Sequence, residues 1–122
     1  MKQEVKKRTY IFKVYLDANH AVMLKDSTGQ IHSHTWEFSL EIVSETNAFI
    51  IFSEAETLVN TILKPYQNAL LNQVEPFNKI NPTTENIGEY FLKQIEKKME
   101  EKHWKILSFS VSEAPNRIFQ VK

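Results

Sequence analysis

Cysteine is absent from the 122 residues, and that one absence removes disulfides, thiolate nucleophiles and cysteine-ligated zinc together. Any metal must therefore be held by His, Asp or Glu, and the lack of cysteine is compatible with a cytoplasmic location. Excess charge is missing too: fifteen basic side chains balance fifteen acidic ones, so nothing in the net charge draws the chain toward nucleic acid or an anionic membrane. The longest purely apolar run, AFIIF at 48–52, is far too short to span a bilayer. The basic start MKQEVKKR leads into a strand pattern instead of the apolar stretch of a signal peptide. Glycine occurs only twice, and no linker, repeat or low-complexity stretch interrupts the chain. The length suits one domain spanning 1–122 with enough apolar content for a core.

What is present is strong alternation. Tyr10, Phe12, Val14, Leu16 and Ala18 share one parity over residues 9–18, the period of a half-buried strand. The polar stretch LKDSTGQ at 24–30 separates it from a second strand, HSHTWEFSLEI at 32–42, which aligns Trp36, Phe38, Leu40 and Ile42. The two form a long hairpin. SEAE at 53–56 has capping-box spacing and predicts a helix from Ser53, carrying Leu58, Val59, Ile62, Leu63 and Tyr66 at helical intervals. Pro65 should kink or stop it, with 65–72 as a second helical piece. Residues 81–102 predict the clearest helix, with Ile87, Tyr90, Phe91, Ile95 and Met99 along one stripe. Leu107, Phe109, Val111 and Glu113 alternate again, and RIFQV at 117–121 pairs back across the turn. Two hairpins flanking a helical block predict an α+β fold, an antiparallel sheet with helices on one face.

His32 and His34 project from the same side of a strand, and His20 lies just past the end of the first strand, where the hairpin brings it alongside them. Three neutral imidazoles make a zinc site with a fourth position for water or substrate, the pattern of catalytic zinc. The plainer alternative is that all three are surface and loop residues. His103, in EEKHWK, reads as a solvated helix end with a mild benefit from the helix dipole.

These residues resemble a family. DANH at 17–20, HSHTW at 32–36, LNQVEPFNKINPTTENI at 71–87 and VSEAP at 111–115 are similar, in the same order, to the 6-pyruvoyl-tetrahydropterin and 6-carboxy-tetrahydropterin synthases. The resemblance covers nearly the whole chain. It implies the tunnelling fold: a four-stranded antiparallel sheet with two helices on one face, whose subunits join into a β-barrel oligomer, usually a hexamer built as a dimer of trimers. It implies zinc ligands at His20, His32 and His34, and a pterin-binding glutamate at Glu113, where paired charge-assisted hydrogen bonds orient a flat heterocycle. Otherwise Glu113 is an ordinary strand residue.

The departures are as informative. The family's proton-transferring cysteine, four residues before the first histidine of His-x-His, falls on Thr28, whose hydroxyl is too weak an acid to replace a thiol unaided. The family's Asp-His relay falls on Gln67 and Asn68, and its glycine between the zinc histidines is Ser33. Losing one general acid or base typically costs about 10²- to 10⁴-fold in rate. Three readings follow. The first is a zinc-dependent carbon–oxygen lyase with altered or weak chemistry on dihydroneopterin triphosphate-type substrates, protons being moved by a group such as Asp17, Asp26, Glu54 or Glu56. The second is a non-catalytic module that keeps the metal and a pterin- or purine-like ligand. The third is an assembled barrel with neither.

Overall fold

Alternating apolar side chains build the first hairpin. In the computed structural model, which describes residues 6–122, β1 (Tyr10–His20) buries Phe12, Val14, Leu16 and Ala18 and turns Ile11, Lys13, Tyr15 and Asp17 outward. Met1–Val5, which open the MKQEVKKR stretch, lie outside the described residues. β2 (His32–Ser44) pairs antiparallel with β1 in unbroken register, from Tyr10 opposite Ile42 to His20 opposite His32. Trp36, Phe38, Leu40 and Ile42 are fully buried. His20 is thus the last residue of β1 rather than a residue beyond it, because the partner strand begins early enough to extend the ladder to that point.

α1 (Phe52–Leu63) buries Ala55, Val59 and Leu63. The capping box expected at Ser53 does not form: Ile51 is the N-cap, its carbonyl accepts from the Glu54 and Ala55 amides, and no side chain caps the helix. A single 3₁₀ turn over Lys64–Tyr66 follows, consistent with the donor that Pro65 lacks. The helix expected over 65–72 is absent. Asn68 adopts a left-handed φ of 62°, and the Gln67–Leu70 segment lies along the edge of β1 instead, before a second 3₁₀ turn at Leu71–Gln73. Of AFIIF, only Ile50 is buried, and Phe49 is 77 % exposed.

α2 (Thr84–Glu101) begins later than the 81–102 pattern because the Thr83 hydroxyl accepts from the Asn86 amide and caps it, and it ends with Lys102 as the C-cap. Ile87, Phe91, Ile95 and Met99 face the core. β3 (Trp104–Ala114) pairs with β2, and β4 (Arg117–Val121) pairs with β3, which completes the antiparallel order β1-β2-β3-β4. The even alternation expected through Leu107 breaks. An irregularity opposite Glu41/Ile42 pairs Ser108 with Glu41 and Ile106 with Ile42, so Leu107 is bulged and exposed while Ile106 packs against the core. His103 follows α2 with φ 59°, exposed, and its carbonyl accepts from the Glu45 amide. No helix among the described residues is long and apolar enough to cross a membrane.

Gly88 sets the distance between α2 and the sheet. A Cβ there would stand 2.6 Å from Val111 Cγ1 and 3.3 Å from the Phe119 ring. Alanine would gain about 1 kcal/mol of helix propensity, but overpacking a closed core costs about 1–3 kcal/mol. Gly88→Ala is therefore expected to be a net destabilisation of about 1 kcal/mol, read as a lower urea midpoint at constant slope.

Candidate metal centre

The register that places His20 opposite His32 also puts His34 two residues further along the same face, so three imidazoles meet where the hairpin ends. The ring centroids lie 5.0 to 5.2 Å apart. One nitrogen from each ring lies within 4.8 Å of the others, and among the described residues this is the one group of three or more such side chains. His32 is exposed and His34 half-buried, whereas His20 is only 1 % exposed.

The hydrogen bonding of His20 defines its tautomer. Nδ1 lies 2.7 Å from the Pro82 carbonyl, an acceptor only, so Nδ1 carries the proton. Nε2 is then a lone pair with no partner in a buried position. Burial lowers the His20 pKa, opposed by the bond to Pro82 and helped by the neighbouring His34. A neutral ring with one nitrogen fixed by a carbonyl and the other free is the chemistry of a metal ligand, and a divalent cation would satisfy the orphaned Nε2. The three donors fit zinc.

Amide side chains hold this arrangement. Asn81 bonds both the amide (2.8 Å) and the carbonyl (2.9 Å) of Met23, while its own carbonyl accepts from Thr83 N and Asn86 Nδ2. It therefore anchors the peptide that presents the Pro82 oxygen to His20. Asn72 grips Ala21 in the same bidentate way, at 2.8 and 2.7 Å. Loss of such outer-shell support typically lowers metal affinity by about 10- to 100-fold. Asn81→Ala is expected to weaken zinc binding within that range in a chelator competition.

Trp36, fully buried, sets its indole against His20 and His34, with centroids 4.9 and 5.4 Å away. Glu113 Oε2 is 3.7 Å from His34 Nε2, both side chains half-buried. Glu113 does not reach this place by the simple parity the sequence suggested. Val111 and Ser112 are both buried, and the ladder shifts between Val111 and Ala114. A cavity of about 460 Å³ adjoins the cluster, lined by His20, Thr83, Thr84, Glu85, Glu113 and Arg117 among others.

None of the positions singled out as departures lines this cavity. Thr28 is exposed in the loop between β1 and β2, and its hydroxyl donates to the Met23 sulfur. Gln67 spends its amide on the edge of β1, accepting from Asp17 N and donating to Tyr15 O at 2.9 Å each, and the Asn68 amide donates to Asp17 O. Ser33 bonds across the hairpin to Asn19. Asp17 points to the outer face of the sheet, where its carboxylate accepts from Thr35. Glu54 and Glu56 start α1 at the far end of the sheet, where the Ile50 amide donates to the Tyr10 hydroxyl, and Asp26 is exposed in the 21–31 loop. None of the four candidate proton carriers lines the cavity beside His20. Glu85 and Glu113 do, and Glu85 and Arg117 were not singled out from sequence. NPTTEN contains Glu85; nothing marked Arg117.

A four-stranded antiparallel sheet backed by two helices, with three imidazoles gathered at one end, defines an α+β protein with a candidate site for a divalent transition metal. The chain belongs to the 6-pyruvoyl tetrahydropterin synthase family, whose model matches residues 10–122. Its architecture is the tunnelling fold of that family. Solved structures agree at the level of the fold. The 6-pyruvoyl tetrahydropterin synthase of Caenorhabditis elegans matches with a TM-score of 0.79 at 16 % identity, covering 99 % of both chains. An uncharacterized protein from Wolinella succinogenes matches at 0.71 with 11 % identity over 96 % of this chain and 98 % of that one. A Plasmodium vivax 6-pyruvoyltetrahydropterin synthase described as a catalytic residue mutant, with a glutamate replaced by alanine, matches at 0.63 with 16 % identity over 93 % and 97 %. No curated protein matches the chain significantly.

Proposed function

We propose that the chain holds zinc through His20, His32 and His34 and takes a pterin-like bicyclic ligand into the adjoining cavity. The observation that carries this reading is the buried, partnerless Nε2 of His20 converging with two further imidazoles. Glu113 lies beside His34 and lines the cavity, placed to accept two hydrogen bonds from the guanidine-like edge of a pterin. Zinc, when bound, supplies Lewis-acid polarisation of a substrate oxygen. With Glu113 taken by the ring, the Glu85 carboxylate is the remaining acidic group lining the cavity and is in place to accept or return a proton there. The Plasmodium vivax protein, with its catalytic glutamate, shows that a carboxylate serves in that relative. On this reading the chain is a zinc-dependent carbon–oxygen lyase with altered or weak action on dihydroneopterin triphosphate-type substrates.

A second reading, a non-catalytic pterin- or purine-like ligand-binding or scaffold module, is favoured by the use made of Gln67 and Asn68. Both are committed to the β1 backbone. Under either reading we place the chain as one domain in a cytoplasmic homo-oligomer, a dimer of trimers. Support comes from the sheet edges: β4 has no strand on its outer side among the described residues, and Ile11 and Ile118 on the outer strands are exposed.

Zinc analysis followed by assay of dihydroneopterin triphosphate turnover separates the readings. Zinc with turnover supports the lyase, and zinc with pterin binding but no product supports the module. Absence of zinc after reconstitution would overturn both.

A further inference from the structure

Two of the three imidazoles stand on the last rung of the β1–β2 ladder, His20 opposite His32, beyond which the chain leaves the sheet for the 21–31 connection. The end of a ladder is where strands open first, and a metal site needs its donors held to a fraction of an ångström. Bonds from outside the hairpin close β1 here. The Asn68 amide donates to Asp17 O at 2.6 Å, and the Asn19 amide donates to Ala69 O at 2.8 Å. The Gln67 side chain fills the next stretch of edge as a piece of strand would, accepting from Asp17 N and donating to Tyr15 O. On the outer face, behind the imidazoles, the Ser33 hydroxyl donates to Asn19 Oδ1 one rung in from His20–His32, and Thr35 donates to Asp17 Oδ1 at 2.5 Å two rungs further. Neither Gln67 nor Ser33 lines the cavity beside His20.

We infer that Gln67 and Ser33 are positioning residues for the metal: they clamp the open end of the hairpin so that His20, His32 and His34 converge on one ion. This rests on the zinc reading above. Both residues are departures from the family resemblance, which places a glycine at 33 and the acid of a proton relay at 67. A glycine has no hydroxyl to give Asn19. An aspartate at 67 is one methylene shorter, lacks the N–H that the Tyr15 carbonyl accepts, and would set a second carboxylate beside Asp17. The relay position has thus become part of the frame that holds the imidazoles.

The test compares the full chain as wild type, Ser33→Ala, Ser33→Thr and Gln67→Ala. Three readouts are taken: chelator competition for zinc, the visible spectrum of the cobalt-loaded protein, which reports coordination geometry, and urea unfolding of the metal-free protein. Ser33 is exposed, so its replacement leaves the core intact. Ser33→Ala and Gln67→Ala should each weaken zinc by about tenfold and alter the cobalt bands, while Ser33→Thr, which keeps the hydroxyl, binds as wild type does. A purely structural role would lower the urea midpoint and leave zinc affinity and the cobalt spectrum unchanged. That outcome overturns the inference, as do zinc affinities within about twofold of wild type in both alanine variants, or equal weakening in Ser33→Thr. Should Gln67→Ala not fold, the two Ser33 variants decide alone. In all of these outcomes wild type still holds zinc and the zinc reading stands. A wild type that takes up no zinc removes that reading and the inference with it.

Discussion

A variant carrying both His32→Ala and His34→Ala is expected to purify without stoichiometric zinc and to take up none on reconstitution, while keeping its secondary structure. Only His20 would remain of the cluster, and one imidazole cannot hold the ion. Structural zinc sites with four ligands bind with about 10–16 kcal/mol, so removing two donors should lower affinity by roughly a thousandfold or more. The fold should survive, because His32 is exposed and His34 half-buried at the end of a hairpin whose register is held by Trp36, Phe38, Leu40 and Ile42. Metal content by mass spectrometry, with circular dichroism on the same sample, reads both halves. Full zinc occupancy in the variant would place the metal elsewhere.

The second large effect is on stability. Phe91 is fully buried, and its ring meets Phe38 of β2, Tyr66 of the 3₁₀ turn after α1, Phe77, and its own neighbour Tyr90, with centroids 5.0 to 6.0 Å apart. It thus ties α2 to the sheet and to the segment between the helices. Phe91→Ala is expected to cost about 3–5 kcal/mol, a large share of the roughly 5–15 kcal/mol that holds a domain together. Urea unfolding should show the midpoint falling steeply with little change in slope. A loss below about 1 kcal/mol would mean that the aromatic cluster collapses to refill the space, and that Phe91 is not its keystone.

Much of this architecture is legible in local pattern. The parity of Tyr10 to Ala18 and of Trp36 to Ile42 specifies the hairpin, and Ile87, Phe91, Ile95 and Met99 specify the buried stripe of α2. Hairpin register then brings His20 beside His32 with no further information. The family resemblance read from DANH, HSHTW and NPTTEN agrees with the family model. What escapes sequence is set by pairing between distant segments. The bulge at Leu107 depends on how β3 meets Glu41 and Ile42 of β2, and the local alternation of β3 carries no trace of it. The helical propensity of 65–72 yields to hydrogen bonds offered by the β1 edge to Gln67, Asn68 and Ala69. The bond from His20 Nδ1 to Pro82 spans 62 positions of chain, and the approach of Arg117 to the cavity follows from the β3–β4 turn. Parity alone turns Asp17 outward, but only the assembled sheet shows that the cavity lies on the other face.

The proposed function depends on His20, His32 and His34 sharing one zinc ion. X-ray absorption at the zinc edge, on wild-type protein reconstituted and freed of excess metal, tests it most directly. If they do, the spectrum will show about one zinc per chain with three imidazole nitrogens at about 2.0–2.1 Å and a remaining light-atom ligand. A protein that retains no zinc, or a spectrum without imidazole scattering, would contradict it.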